Sequence, residues 1–105
     1  MIVVCRLAVP PEESASFPAL AEAALSALSA RPGYLRGHLG RAVDDPSLWL
    51  LSTEWLNVGA YRRALSAYDV KMTLTTAMAH AVNEPSAFEV VLRTLAAVSP
   101  EDGAR

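Results

Sequence analysis

The chain carries one cysteine, Cys5, and two histidines, His38 and His80, in 105 residues. A single thiol forms no intrachain disulfide and no multi-cysteine metal site, and its ordinary place is the core. With no acidic cluster beside either histidine, no metal is expected, and no phosphate-binding glycine loop or Ser/His/Asp arrangement is present. An excess of one charge is also missing. A net charge of −2 gives nucleic acid or an anionic membrane little to recognise. Long apolar runs are absent as well. Ile2-Val3-Val4-Cys5 meets Arg6 and is followed by Pro10-Pro11, without the basic start and small-residue cleavage site of a signal peptide. No membrane association is expected, and the expected location is the cytoplasm. What is abundant is apolar side chain: 52% of residues are hydrophobic and 19% charged, which excludes disorder. The length suits one domain, taken as residues 1–98, with a flexible tail at 99–105.

The segment Ile2 to Val9 is β-branched and apolar, and two prolines end it. Phe17, Leu20, Ala21, Ala24, Leu25 and Leu28 then recur at helical spacing, behind Ser16 as cap and Pro18 in the first turn. Arg31-Pro32-Gly33 closes that helix. Two strand-like segments follow, Tyr34 to Val43 and Leu48 to Trp55, around the turn Asp44-Asp45-Pro46-Ser47. Asn57 caps a helix with Val58, Tyr61, Leu65 and Tyr68 on its apolar side. Asp69 is the expected cap of a second stretch carrying Val70, Leu74, Ala77, Met78 and Ala81. Asn83-Glu84-Pro85 stops it, and a last strand is expected from about Ala87 to Leu95. The order β-α-β-β-α(α)-β is an α+β, ferredoxin-like arrangement with a split second helix.

Pairing Val43 with Leu48 sorts the hairpin by alternation. One face then carries Arg36, His38, Ala42, Trp49, Leu51, Thr53 and Trp55. The other carries Leu39, Arg41, Val43, Leu48, Leu50, Ser52 and Glu54, with Arg41 and Glu54 expected to pair. Both faces hold large apolar groups, unlike a sheet with one wet side. The chain's own helices cover one face only, so a homodimer is expected to cover the other.

Sharper features are Arg31-Pro32-Gly33-Tyr34-Leu35, Arg41-Ala42-Val43-Asp44-Asp45-Pro46, Glu54-Trp55 and Val58-Gly59-Ala60-Tyr61. Together they resemble the antibiotic biosynthesis monooxygenase family from Ile2 to Val91. The resemblance implies a dimeric α+β barrel in which two sheets pack face to face. Known members include oxygenases that act on polycyclic aromatic polyketides without metal or flavin, and others that degrade haem. The spacing of Trp55 and Tyr61 is similar to that of the polyketide-oxidising members. Leu51 and Thr75 stand where those members carry Asn and Arg. The helical His of the haem-degrading branch is missing, since Ser66 and Ala67 lie near its position, and no Asn precedes residue 57.

The activity so implied is cofactor-independent oxidation of a small aromatic or polyphenolic ligand by molecular oxygen. A non-catalytic binding or accessory protein, or a cyclase or isomerase, would use the same cavity. Oxygenation without a cofactor needs an apolar cavity, a proton path and a group that stabilises a developing oxyanion. His38 and Tyr61 are the candidate proton-handling residues, and Arg36 the candidate oxyanion partner. Trp55, Thr53 and Tyr68 are candidate substrate contacts, Trp55 by stacking. Each has a plainer reading: Trp55 and Tyr61 as core, His38 as a hydrogen-bonded structural histidine, Arg36 snorkelling outward and His80 solvated.

Overall fold

A computed structural model describes residues 1–103. Its elements are β1 (Ile2–Ala8), α1 (Phe17–Ser29), β2 (Tyr34–Arg41), β3 (Leu48–Trp55), α2 (Val58–Leu65), α3 (Tyr68–Ala77) and β4 (Ala87–Phe88), with one helical turn, α4, at Pro100–Gly103. The strands form one antiparallel sheet in the order β2-β3-β1-β4, with α1, α2 and α3 on one face. This is the α+β, ferredoxin-like arrangement. Among the described residues no helix is long and apolar enough to cross a membrane.

Alternation along β3 is strict: Trp49, Leu51, Thr53 and Trp55 are buried against the helices, and the residues between them are half-exposed. Val3, Cys5 and Leu7 of β1 face the same way through the pairs Val3 with Thr53, Cys5 with Leu51 and Leu7 with Trp49. α1 lies close on this face because Ala21 and Ala24, both fully buried, keep its side chains short there. The core divides into two clusters. One gathers Val3, Leu28, Trp55, Ala60, Ala64 and Val70, the other Leu7, Val9, Phe17, Ala21, Trp49 and Leu51. A buried Leu or Val of this kind contributes roughly 1.5–3 kcal/mol.

The hairpin register differs by one residue from the expected one. Ala42, not Val43, meets Leu48, its N–H donating to the Leu48 carbonyl at 2.8 Å. Asp45 explains this: its carboxylate accepts from the Ser47 N–H at 3.0 Å and the Ser47 hydroxyl at 2.7 Å. That local turn takes in Val43, which is fully exposed. Gly37 therefore pairs with Thr53, His38 with Ser52 and Arg36 with Glu54. Arg36 and His38 lie on the outer face, opposite the helices, while Leu39 and Arg41 turn inward. The expected Arg41–Glu54 pair is absent. Arg41 stacks over the Trp49 ring at 4.6 Å, and Glu54 pairs with Arg36 and with Arg93. An irregularity between Tyr34 and Arg36 restores Tyr34 to the inner side, edge-on to Trp55 at 5.3 Å.

The last strand is shorter than expected for a geometric reason. The chain from Ala81 runs back along the free edge of β1, bridging Leu7 and receiving the Val4 N–H on the Ser86 carbonyl. By Phe88 it has reached Ile2, where β1 begins. Residues 89–95 overshoot the sheet, leaving Val91, Leu92 and Leu95 exposed. Asp69 is not the cap of α3. Ala67 holds that position, and Asp69 sits in the first turn, accepting from the Val70 N–H at 3.0 Å. The tail expected to be flexible includes α4, and positions 104–105 lie outside the described residues.

Candidate functional site

Where the two core clusters meet, the inner face of the sheet and the helices do not quite close. Val3 and Cys5 of β1 and Leu51 and Thr53 of β3 form the floor. Leu28 of α1, Tyr61 of α2 and Leu74 of α3, with Met78 just beyond α3, form the walls and roof. The cavity measures about 20 Å³, the room of a single water molecule. Tyr61 also lines a wider surface groove of about 340 Å³, bounded by Met1, Val58, Leu65, Ala87 and Phe88 among others. Tyr61 thus lines both the small cavity and the wider, largely apolar groove.

Tyr61 is held there by its helix. Asn57 caps α2, its side-chain oxygen accepting from the Ala60 N–H at 2.9 Å. At the mouth of β2, Gly33 adopts φ +90° and lets α2 approach so closely that a Cβ at this position would overlap that of Ala60. The Tyr61 ring leans on Trp55, centroids 5.7 Å apart. Burial raises the Tyr61 pKa above the ordinary phenol value, and negative charge on Cys5 would raise it further. Cys5 is itself pushed up by burial, against an opposing effect of the Ser86 side chain and a smaller reinforcement from Glu84. At neutral pH both groups keep their protons and can donate hydrogen bonds, and neither is a base.

Thr53 is buried and lines the cavity, and its hydroxyl oxygen accepts from the Trp55 indole N–H at 2.9 Å. Trp55 is 1% exposed, wedged between Tyr34 and Tyr61, and does not line the cavity. Its expected role as a stacking platform gives way to one in the core. Tyr68, the first residue of α3, is 77% exposed and lines neither the cavity nor the groove. Arg36 and His38 do come together, but on the outer face, where they share a shallow depression of about 280 Å³ with Ile2, Val4 and Leu50. The one-residue change of register separates them from Tyr61 by the thickness of the sheet. His80 contacts Glu13 at 3.0 Å, away from the cavity. Among the described residues no three His, Cys, Asp or Glu side chains are grouped to hold a metal ion.

Of the residues around the cavity, sequence reasoning brought forward Tyr61 and Thr53 and left Cys5 as an inert core thiol. The alternation of Val3, Cys5 and Leu7, with β1 paired to β3, was the signal that could have placed it beside Tyr61.

The profile of the family described as antibiotic biosynthesis monooxygenase matches residues 1–74. The chain belongs to that family. The matched span runs from β1 into α3 and includes every cavity-lining residue except Met78. Among solved structures, SnoaB, a cofactor-independent oxygenase from Streptomyces nogalater, is similar over 90% of this chain and 94% of its own, with TM-score 0.68 and 24% identity. A single-site mutant of SnoaB gives TM-score 0.75 at 22% identity, over 88% of this chain and 93% of its own. A conserved protein from Methanosarcina mazei Go1 gives TM-score 0.69 at 15% identity, over 82% and 84%. At these identities the likenesses show that this antibiotic biosynthesis monooxygenase family member shares their fold. No protein of curated description matches its sequence.

Proposed function

We propose that this chain is a cofactor-independent monooxygenase for a small aromatic compound bearing an acidic phenol or enol, working as a homodimer. The observation that carries the reading is Tyr61, a protonated phenol on the wall of a largely apolar groove of about 340 Å³, a volume that suits a small aromatic ligand. Membership of the family supports a monooxygenase-type role, and SnoaB offers a cofactor-independent precedent on this fold.

The residues define what the substrate must supply. The cavity-lining groups that titrate, Cys5 and Tyr61, are both held protonated by burial, so the substrate must arrive as its own anion. An anthrone or hydroquinone anion is electron-rich enough to pass an electron to oxygen. Recombination of the resulting pair gives a peroxide at carbon. Tyr61 then donates its proton to that peroxide; as the O–O bond breaks, the tyrosinate takes the remaining C–H proton of the anthrone carbon, the quinone carbonyl forms, and the departing hydroxide becomes water with the proton that the substrate lost on ionising. One oxygen atom remains on the substrate and the other leaves as water. Tyr61 is half-buried, and a donor placed at a developing oxyanion gains strength as the bound substrate displaces water from it.

The outer face supports the dimer. Ile2, Val4 and Leu50 are only half covered there, and Val91, Leu92 and Leu95 stand in the open beyond the sheet. A second copy laid on this face would bury both sets, together with Arg36 and His38.

The test is oxygen consumption with 1,8-dihydroxyanthrone, followed by an oxygen electrode and by appearance of the anthraquinone. Turnover above the uncatalysed background is expected, rising with pH as the substrate ionises. Absence of turnover across anthrones and hydroquinones would overturn the reading. Thermal stabilisation by these ligands without oxygen uptake would instead favour a binding protein. Sedimentation at micromolar concentration checks the dimer.

A further inference from the structure

A substrate that arrives as an anion is held best by a cation that can donate hydrogen bonds to it. Arg36 is the expected source, but the sheet stands between it and Tyr61. The groove of about 340 Å³ carries a cation of its own. Val58, Tyr61, Arg62 and Leu65 recur at three- and four-residue spacing along α2, so they share one face of that helix, and all four line the groove. A guanidinium and the phenol are thereby set on the same wall. The facing wall carries the opposite charge. Ala87 pairs with Val3, which points to the helices, and Glu89, two residues on, keeps to that side and lines the groove. Among the described residues no ion pair joins Arg62 to Glu89 across it. Met1 borders the groove as well, its amine donating to the Trp55 carbonyl at 3.2 Å.

We infer that Arg62 is a substrate-binding residue of this groove: its guanidinium holds the anionic oxygen of an aromatic ligand against the α2 wall, in the recess that Tyr61 also lines. Glu89 repels that charge from the opposite wall and so decides which way round the ring lies. The ligand class is a flat aromatic with one ionised oxygen, as in an enolate, phenolate or carboxylate, and an apolar body that rests on Val58, Leu65 and Phe88. The inference rests on the proposed function for the place where substrate binds, and it does not depend on oxygen chemistry.

The probes are 1-naphthoate, an anion at neutral pH, and 1-naphthamide, a neutral bicycle of nearly the same shape, titrated calorimetrically into the full-length protein. In the wild type naphthoate should bind more tightly. Arg62 is exposed, so its pairing with a ligand anion is of modest strength. Arg62→Gln should reduce the naphthamide-to-naphthoate ratio of Kd values about fivefold, equivalent to about 1 kcal/mol. Arg62→Lys should keep that ratio within about twofold of wild type, because the charge remains. Glu89→Gln removes the opposing charge and should raise the ratio about twofold. All three variants leave the Met1 amine in place, so the comparison isolates the two side chains.

Arg62 pairs with no described residue, so its substitutions should leave the fold intact, which a thermal melt of each variant checks. A ratio that Arg62→Gln leaves unmoved would overturn the inference, even if both probes bind more weakly. So would a wild type that binds both probes alike, or neither. No oxygen is consumed in these titrations. A protein inert in the anthrone assay that keeps the ratio would sink the monooxygenase reading alone, and turnover with an unmoved ratio would sink the role of Arg62 alone.

Discussion

Replacing Tyr61 by Phe removes one oxygen atom and little else. The ring keeps its place against Trp55, at the 5.7 Å centroid separation seen for Tyr61. The hydroxyl makes no hydrogen bond to any described residue, so its loss breaks no native contact. Stability should therefore change by no more than about 0.5 kcal/mol, with the melting temperature unchanged or slightly raised. Turnover should respond very differently. If the phenol donates to the peroxide oxygen, its loss resembles removal of an oxyanion donor, about 10²–10³ in kcat or roughly 2.7–4 kcal/mol. The assay is oxygen uptake with 1,8-dihydroxyanthrone beside a thermal melt of the same preparation. Burial raises the Tyr61 pKa, so in the wild type the donor should persist through the ordinary phenol range near pH 10 and fail only above it. The variant should lack that alkaline decline. A variant within threefold of wild type, a barrier change of less than about 0.7 kcal/mol, would refute the role given to Tyr61.

Gly33→Ala forces a side chain into a φ of +90° and against the Ala60 Cβ. Urea denaturation should show a loss of at least about 2 kcal/mol. Asn57→Ala removes the acceptor for the Ala60 N–H and should cost about 1 kcal/mol, with Asn57→Asp close to wild type in the same measurement. Glu54 has its pKa lowered by Arg93 first and Arg36 second, so the unfolded chain binds the proton more readily than the folded one. Its contribution is present above the unfolded carboxylate value near pH 4.3 and is lost as pH falls through the lower folded value. Glu54→Gln should flatten the acid limb of a urea-midpoint-against-pH profile, and an unchanged limb would dismiss the Arg36–Glu54–Arg93 cluster as a source of acid sensitivity.

Much of this architecture can be read from side-chain periodicity. The burial of Trp49, Leu51, Thr53 and Trp55, the buried α1 face of Phe17, Ala21, Ala24 and Leu28, from which the expected Leu20 is missing, and the Asn57 cap all follow from local pattern and local chemistry. What escaped depended on a single residue of offset. Val43 looks like strand, but the Asp45–Ser47 turn draws it into the loop, and in a structure of period two that offset moves Arg36 and His38 through the sheet. The strand expected to Leu95 failed for a different reason. Its residues favour β structure, but pairing needs an edge, and β1 offers none past Ile2. Cys5 and Tyr61 became neighbours only once β1, β3 and α2 were assembled, a relation between segments distant in the chain.

The close packing of Gly33 on Ala60 reaches beyond stability. It clamps the helical turn that bears Tyr61 to the start of β2, so that turn has no slack with which to swing open. The place of the phenol on the groove wall is thereby tied to the start of β2, and a side chain at Gly33 that pushed α2 outward would carry the Tyr61 ring with it, without touching the groove.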